Sequence, residues 1–227
     1  MSYTHQYSCI RLVPIFQGMS SEEIEVLEKV CHLRKFTKGE FVFREGESSE
    51  SLYIVGKGLV KITKISEDGK EQIVRLLFPG DFFGQSALLK TENHYANAIT
   101  LDQSELCTIH KQDFLKAIQR NPDMSFRYIL ALNERLHQAD EWVSLLSLLD
   151  VEQRLASVLL LFSEKINIAG GAFSLPISKK VLATLIGTTP ETISRKLVAF
   201  VNENIITMNG QRDIQILNYE ALKQKTK

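Results

Sequence analysis

Between Pro122 and Leu149 the chain carries no glycine and no further proline. Within that stretch Ile129, Leu132, Leu136, Ala139, Val143 and Leu146 follow each other at alternating spacings of three and four. That alternation is a heptad seam, and it runs for more than two heptads. A helix over residues 122–149 would be about 42 Å long, too long to be one side of a small round domain. It therefore divides the chain into a part before it and a part after it. The seam has two readings: it packs on its own domain, or on its copy in a homodimer. The strict alternation and the length favour the copy. Leu130, Leu145 and Leu149 lie off the seam and offer a second apolar face to the preceding domain.

The part before the long helix is punctuated like a β protein. Glycines at 39, 46, 56, 58, 69, 80 and 84 separate short runs rich in β-branched and aromatic residues. The runs cover residues 40–44, 51–55, 59–65, 71–77, 96–100 and 105–110. Short strands with turn signals at this spacing predict a sandwich or barrel. Asp68-Gly69 between two runs predicts a two-residue hairpin turn. Ahead of the strands, residues 20–33 read as a helix. Ser20 is its N-cap, Glu22 and Glu23 suit its first turn, and Ile24, Leu27 and Val30 share one face.

The part after the long helix predicts a helix over 151–166, with Leu155, Val158, Leu159 and Phe162 on one face and Gly170-Gly171 ending it. Residues 178–202 then read as two short helices. Ser178 caps the first, which buries Val181, Leu182 and Leu185, and Gly187 stands where a helix stop needs a left-handed residue. Thr189-Pro190 opens the second with a capping hydroxyl and a proline whose missing N–H costs nothing there. Ile193, Leu197, Phe200 and Val201 form its buried face. Two helices joined by a short glycine-containing turn make a helix-turn-helix.

The outer face of the second helix carries Glu191, Ser194, Arg195 and Asn202. A guanidinium can bond guanine O6 and N7, a carboxylate can accept from cytosine N4, and a serine hydroxyl serves several bases. The helix N-terminus, with the Thr189 and Thr192 hydroxyls, suits a phosphate. Lys179 and Lys180 can reach the DNA backbone. Taken alone, Glu191 and Arg195 also satisfy a plain surface pair four residues apart. Strand-like residues 205–208 and 214–217 flank Asn209-Gly210, a hairpin signal, and predict a wing. Gln211 and Arg212 near its tip either touch phosphate or are simply solvated.

Composition excludes several classes. The 227 residues are 44% hydrophobic and 24% charged, an ordinary globular balance. No apolar run approaches the roughly 18 residues of a membrane span. The N-terminal residues lack a secretory pattern, and three cysteines do not make a disulfide scaffold. A cytoplasmic protein is expected. Lys+Arg and Asp+Glu each number 27, so the formal net charge is zero. That neutrality conceals a net of −3 over residues 1–146 and of +3 over residues 147–227. The five histidines, His5, His32, His94, His110 and His137, form no H-x-H pair. No phosphate-binding G-x-x-x-x-G-K-[ST], H-E-x-x-H or nucleophile elbow is present. The residues predict no enzyme, no metal and no cofactor.

Over nearly its whole length the chain resembles the bacterial Crp/Fnr superfamily of transcription regulators. The resemblance is carried by Gly39, Gly46, Gly58 and Pro79-Gly80-Asp81-Phe82-Phe83-Gly84 in the β segment, by the long helix, and by the winged helix-turn-helix. It implies an α+β fold in three parts. These are a cyclic-nucleotide-binding-type β-roll (a jelly roll) over 1–121, a dimerisation helix over 122–149, and a winged helix-turn-helix over 150–227. Its seam residues are Ile129, Leu132, Leu136, Val143 and Leu146. It also implies partners: double-stranded DNA, a second copy and, for an activator, RNA polymerase, with no membrane. Glu191-Thr192-Ile193-Ser194-Arg195 is similar to the Fnr-type recognition sequence, whose Glu, Ser and Arg read a TTGA half-site. The cyclic-AMP receptor branch usually has Arg where Pro190 stands and a small residue where Ser194 stands.

The family's cyclic-nucleotide pocket uses Gly-Glu after the PGD segment and Arg-Ser or Arg-Thr about ten residues on. The matching positions here are Gly84-Gln85 and Tyr95-Ala96, so both the carboxylate and the arginine are missing. A buried cyclic phosphate without its cation is costly, and cyclic AMP is not the expected effector. An Fnr-type iron–sulfur cluster needs four thiolates, and only Cys9, Cys31 and Cys107 are present. Cys9 and Cys107 resemble the cysteine pair of the Flp branch of Gram-positive Fnr-like regulators, which implies a thiol–disulfide switch. The alternative is that Cys107 is a small buried hydrophobe. Cys31 reads as packing in the early helix. Two regulators thus stay open, one switched by redox state. The other senses an unidentified small molecule, or binds DNA constitutively, with inert cysteines.

Overall fold

The computed structural model describes residues 9–85, 93–166 and 172–227. The chain forms two compact units that divide between Leu136 and His137.

The first unit opens with a short helix α1 (Cys9–Leu12), a 3-10 turn (Pro14–Phe16) and α2 (Ser21–Val30). Eight strands follow: β1 (Cys31–Phe36), β2 (Phe41–Phe43), β3 (Ser51–Lys57), β4 (Val60–Ile65), β5 (Glu71–Leu77), β6 (Phe82–Phe83), β7 (Asn97–Thr100) and β8 (Ser104–His110). Then come α3 (Lys111–Arg120) and the long α4 (Pro122–Leu148). The strands make two four-stranded antiparallel sheets, ordered β1-β8-β3-β6 and β2-β7-β4-β5. Strand alternation shares β3 between two cores. Leu52 and Ile54 pack with Cys9, Ile10, Phe114 and Tyr128. Tyr53 and Val55 point the other way, to Phe36, Phe43, Phe83 and Leu106. This is why β3 reads as a continuous apolar run rather than an alternating one.

Three sequence expectations change here. The early helix stops at Val30, and residues 31–36 become β1, paired with β8 from Cys31↔Ile109 to Phe36↔Ser104. Its expected cap does form, since Ser20 and Glu23 make a reciprocal capping box. The hairpin at Asp68-Gly69 is wider than two residues: the last strand pair is Ile65↔Glu71. A two-residue type I′ turn needs positive φ at both central positions, and only Gly69 adopts it, at 80°. On α4, Leu130 does not cover the roll; it is 52% exposed. Met124 and Tyr128 do so instead, with the seam residue Leu132 packed beside them. Ile129, Leu136 and Val143 are exposed.

The second unit begins within α4 and continues with α5 (Val151–Ile166), β9 (Ala172–Ser174), α6 (Lys179–Ile186), α7 (Pro190–Asn202), β10 (Ile206–Asn209), β11 (Asp213–Ile216) and α8 (Tyr219–Gln224). Gly170-Gly171, the expected end of α5, lies outside the described residues. Leu155, Leu159 and Phe162 of α5, Leu182 and Leu185 of α6, and Ile193, Leu197 and Phe200 of α7 are buried. Three strands, in the order β10-β11-β9, form the wing sheet. Its turn falls at the expected place, with each strand running one residue closer to it than expected. Asn209 pairs with Asp213, so residues 210–212 form the tip, and Gly210 takes the positive φ of 68°. Among the described residues no helix is long and apolar enough to cross a membrane.

Candidate nucleic-acid interface and sensor cavity

The helix-turn-helix is built by local hydrogen bonds. The Ser178 side chain accepts from Val181 N–H and starts α6. Gly187 ends it in the left-handed conformation, φ 71°, where a Cβ would strain the backbone. Thr189 Oγ1 accepts from Thr192 N–H at 3.3 Å and starts α7, with Pro190 in its first turn. Ile193, Leu197 and Phe200 are buried, which fixes the rotation of α7 and turns Glu191 and Arg195 to solvent, with Ser194 half-buried between them.

The polar groups of that face are already organised. Bonds from its own N–H and from Thr189 hold the Glu191 carboxyl below the usual carboxylate range, so it is ionised at neutral pH. Arg195 Nη2 donates to Thr192 Oγ1 at 3.1 Å, and that hydroxyl also lies 3.2 Å from Thr189 Oγ1. Thr192 thus steadies Arg195 as well as lining the helix N-terminus. Val198, one turn beyond Arg195, is 57% exposed on the same face. Sequence reading passed over it as one more apolar residue of the helix. Its spacing of seven from Glu191 was the available signal, and an exposed aliphatic group suits a thymine methyl. Lys180 and Arg212 are exposed and Lys179 is half-buried.

Other cations of this unit brace it. Lys196 and Lys225 both pair with Glu152, at 2.7 and 2.8 Å, which holds the Glu152 carboxyl low. Arg154 Nε donates to Leu149 O at 2.9 Å and its Nη1 to Ile186 O at 3.0 Å. One guanidinium therefore caps both the end of α4 and the end of α6.

In the first unit Cys9 on α1 and Cys107 on β8 are joined by a disulfide, with Cα atoms 6.2 Å apart. Both are buried. Gly56 makes room for the bridge: a Cβ there would lie 2.6 Å from Cys9 Sγ. Cys31 stands on β1, not in a helix, and is free. Burial, and then the charge of Glu28, push its thiol up to about 11, so it carries little thiolate at neutral pH.

Gly84, Gln85, Tyr95 and Ala96 come together around one cavity of about 20 Å³, which Arg75, His94 and three apolar side chains also line. Arg75, on β5, donates from Nη2 to Phe82 O at 3.2 Å. Arg135, on α4, donates from Nη1 to Gln85 Oε1 at 2.9 Å and lies 3.8 Å over the Phe82 ring. Burial lowers the Arg75 guanidinium. Burial, then the charge of Arg75, push Arg135 down to about 9, still charged at neutral pH. His94 is only 6% exposed and stacks on Phe43 at 3.4 Å; burial pushes it down to about 4. Sequence reading missed both arginines. The signal for Arg75 was a lone charge inside an apolar pattern, between Val74 and Leu76; Arg135 follows Glu134 in a polar run and gave no such signal. No group of three His, Cys, Asp or Glu side chains among the described residues is placed to hold a metal.

The chain matches two known family descriptions: "Cyclic nucleotide-binding domain" over residues 33–121 and "Crp-like helix-turn-helix domain" over residues 153–225. It is 31% identical over 211 residues to the "Cyclic AMP receptor protein" of Thermus thermophilus, covering 93% of this chain and 95% of that one. It is 28% identical to the "Probable transcriptional regulator flp" of Lacticaseibacillus casei, covering 96% and 97%. Among solved structures, FixK2 from Bradyrhizobium japonicum superposes with a TM-score of 0.81 at 26% identity, covering 87% of this chain and 98% of that one. The α+β architecture expected from sequence, an antiparallel roll, long helices and a terminal helix-turn-helix, is the one observed.

Proposed function

The chain belongs to the Crp/Fnr family of DNA-binding transcription regulators, and from that premise we propose that it acts as a homodimer on a palindromic operator with TTGA-type half-sites. Its parts are a sensor over 1–121, a dimerisation helix over 122–149 and a DNA reader over 150–227. The observation that carries this reading is the outward face of α7, with Glu191, Ser194 and Arg195 on a helix whose N-terminus is capped and whose far side is buried. Glu191 and Arg195 read base edges and Ser194 assists. Thr189, Thr192, Lys179, Lys180 and Arg212 hold phosphates and set register. The exposed stripe of Ile129, Leu136 and Val143 is the face that a second copy covers, joined at its edges by Leu132 and Leu146. Two α7 helices then enter major grooves about 34 Å apart. The protein works in the cytoplasm, touches RNA polymerase if it activates, and performs no catalysis.

The sensor signals through Cys9 and Cys107, whose bridge ties α1 to β8 when oxidised. Reduction releases α1 and shifts the population of dimer arrangements. A second reading rests on the cavity at Gln85, where a small molecule other than cyclic AMP is sensed and the cysteines are inert. Selection of operators from random DNA, under reducing and under oxidising conditions, tests both. The expected product is an inverted repeat of TTGA-type half-sites recovered in one redox state. Recovery of unrelated sequence refutes the reader, and equal recovery in both states refutes the cysteine switch.

A further inference from the structure

We infer that Val198 is a specificity-determining residue of the reading helix, and that its side chain reads the methyl group of one thymine in each half-site. The inference rests on α7 being the DNA-reading helix, and it adds an apolar contact to the polar ones of Glu191, Ser194 and Arg195.

The placement follows from helix geometry. At about 100° of turn per residue, the exposed Glu191, Arg195, Val198 and Asn202 share one narrow arc of α7, opposite the buried Ile193, Leu197 and Phe200. On the helix surface the neighbours of Val198 are Ser194 and Arg195, four and three residues before it, and Asn202, four after it. Val198 is 57% exposed, and among the described residues of α6 and α7 it is the one large hydrophobic side chain left in water. The core face of α7 is made by Ile193, Leu197 and Phe200, so packing does not call for a valine at 198. Isolated exposed apolar side chains are ordinary on a protein surface. What distinguishes this one is its position among the groups that face the bases.

The chemistry of the side chain narrows what it can meet. Val198 ends in two methyl groups and has no side-chain donor or acceptor. It bonds neither a phosphate oxygen nor the polar edge of a base. The apolar group displayed in the major groove is the C5-methyl of thymine. Methyl carbons in contact at about 3.5–4.0 Å attract each other and shed the water between them. Three residues along α7 carry Val198 about 4.5 Å beyond Arg195, little more than one base-pair step of about 3.4 Å. In a TTGA-type half-site both pairs beside the guanine are T·A pairs. A thymine methyl therefore stands one step from the guanine given to Arg195, whichever way α7 runs along the groove.

The test is a methyl scan with the full-length protein. The operator is the sequence that selection from random DNA returns. Each thymine of one half-site is replaced in turn by deoxyuridine, which removes the methyl and leaves every hydrogen-bonding group in place. Affinity for each probe is measured with the wild-type protein and with V198A. At one thymine position the wild type is expected to bind about fourfold more weakly, the value of one buried methyl-sized group. V198A should be indifferent to deoxyuridine at that position and respond like the wild type at every other. Its melting temperature should match the wild type, because Val198 is exposed, and its salt dependence should not change, because no charge is lost. A scan in which no thymine methyl matters, or a deoxyuridine penalty equal in V198A and wild type, overturns the inference. A selection that returns no preferred sequence refutes the DNA reading and the inference with it. A preferred sequence of another type refutes the TTGA half-site alone, and the scan on that sequence decides the role of Val198.

Discussion

In the second unit Thr189, Thr192 and Arg195 are held by partners three residues away. In the first unit Cys9 reaches Cys107 across 98 residues, and Arg135 reaches Gln85 across 50. The reading face is made of single-helix contacts on a helix whose rotation is fixed by three buried side chains. It is formed once α7 is formed. The contacts of Cys9 and Arg135 exist only while the roll is closed, because their partners sit on different strands and helices. A reader should present the same groups at every encounter with DNA, and a sensor should change when its surroundings change. Local contacts suit the first task and long-range contacts the second.

That contrast can be broken or sharpened by experiment. The largest effect is expected from Cys107→Ser. Losing a cross-link that closes a loop of this length should cost the first unit about 2–4 kcal/mol in urea unfolding. The second unit, followed by its own hydrogen exchange, should be unaffected. An equal loss in both would show that the units do not unfold separately. The next effect is pH dependence in the first unit. His94 is held neutral by burial down to about 4, while an unfolded histidine takes its proton near 6.5. Between those values the unfolded chain binds more protons, so stability falls as pH drops from about 6.5 to about 4, by about 2–3 kcal/mol. His94→Asn should flatten that slope, and a slope that survives would assign it to other groups.

Arg195→Ala addresses the reader. It should cost about 1–3 kcal/mol in operator binding and relax base choice at one position per half-site. The melting temperature should hardly move, because Arg195 is exposed. Equal weakening on random DNA would make the contact a phosphate contact instead. The smallest expected effect is that of Thr189→Ala, about 1 kcal/mol of stability from the lost cap, seen as faster amide exchange in the first turn of α7. A loss spread over the whole second unit would mean that the cap is not local.

The same division governs what could be read from the chain. Ser178, Gly187, Thr189 and Pro190 announced the helix-turn-helix because each acts on neighbours within four residues. The strand at 31–36 did not announce itself. Its four middle residues are exposed, and its extended form comes from β8, more than 70 residues later. Both hairpin turns were placed correctly, and the one at Asp68-Gly69 was given the wrong width, since Asp68 keeps negative φ and only the glycine after it turns over. Gly84, Gln85, Tyr95 and Ala96 were grouped by resemblance and do line one cavity. The arginines beside them come from β5 and α4, and neither Arg75 between Val74 and Leu76 nor Arg135 between Glu134 and Leu136 tells from its neighbours what lies across the fold. Gly56 shows the same limit: its value lies in the sulfur it admits.

Arg154 gives the second unit a mechanical property. With one hand on Leu149 O and the other on Ile186 O, it turns the last carbonyls of the long helix and the bend before the recognition helix into one bracket. The stretch between Leu148 and Val151 looks like a joint, yet it is splinted. A pull at Leu149 is passed to the bend at Ile186 through a single side chain.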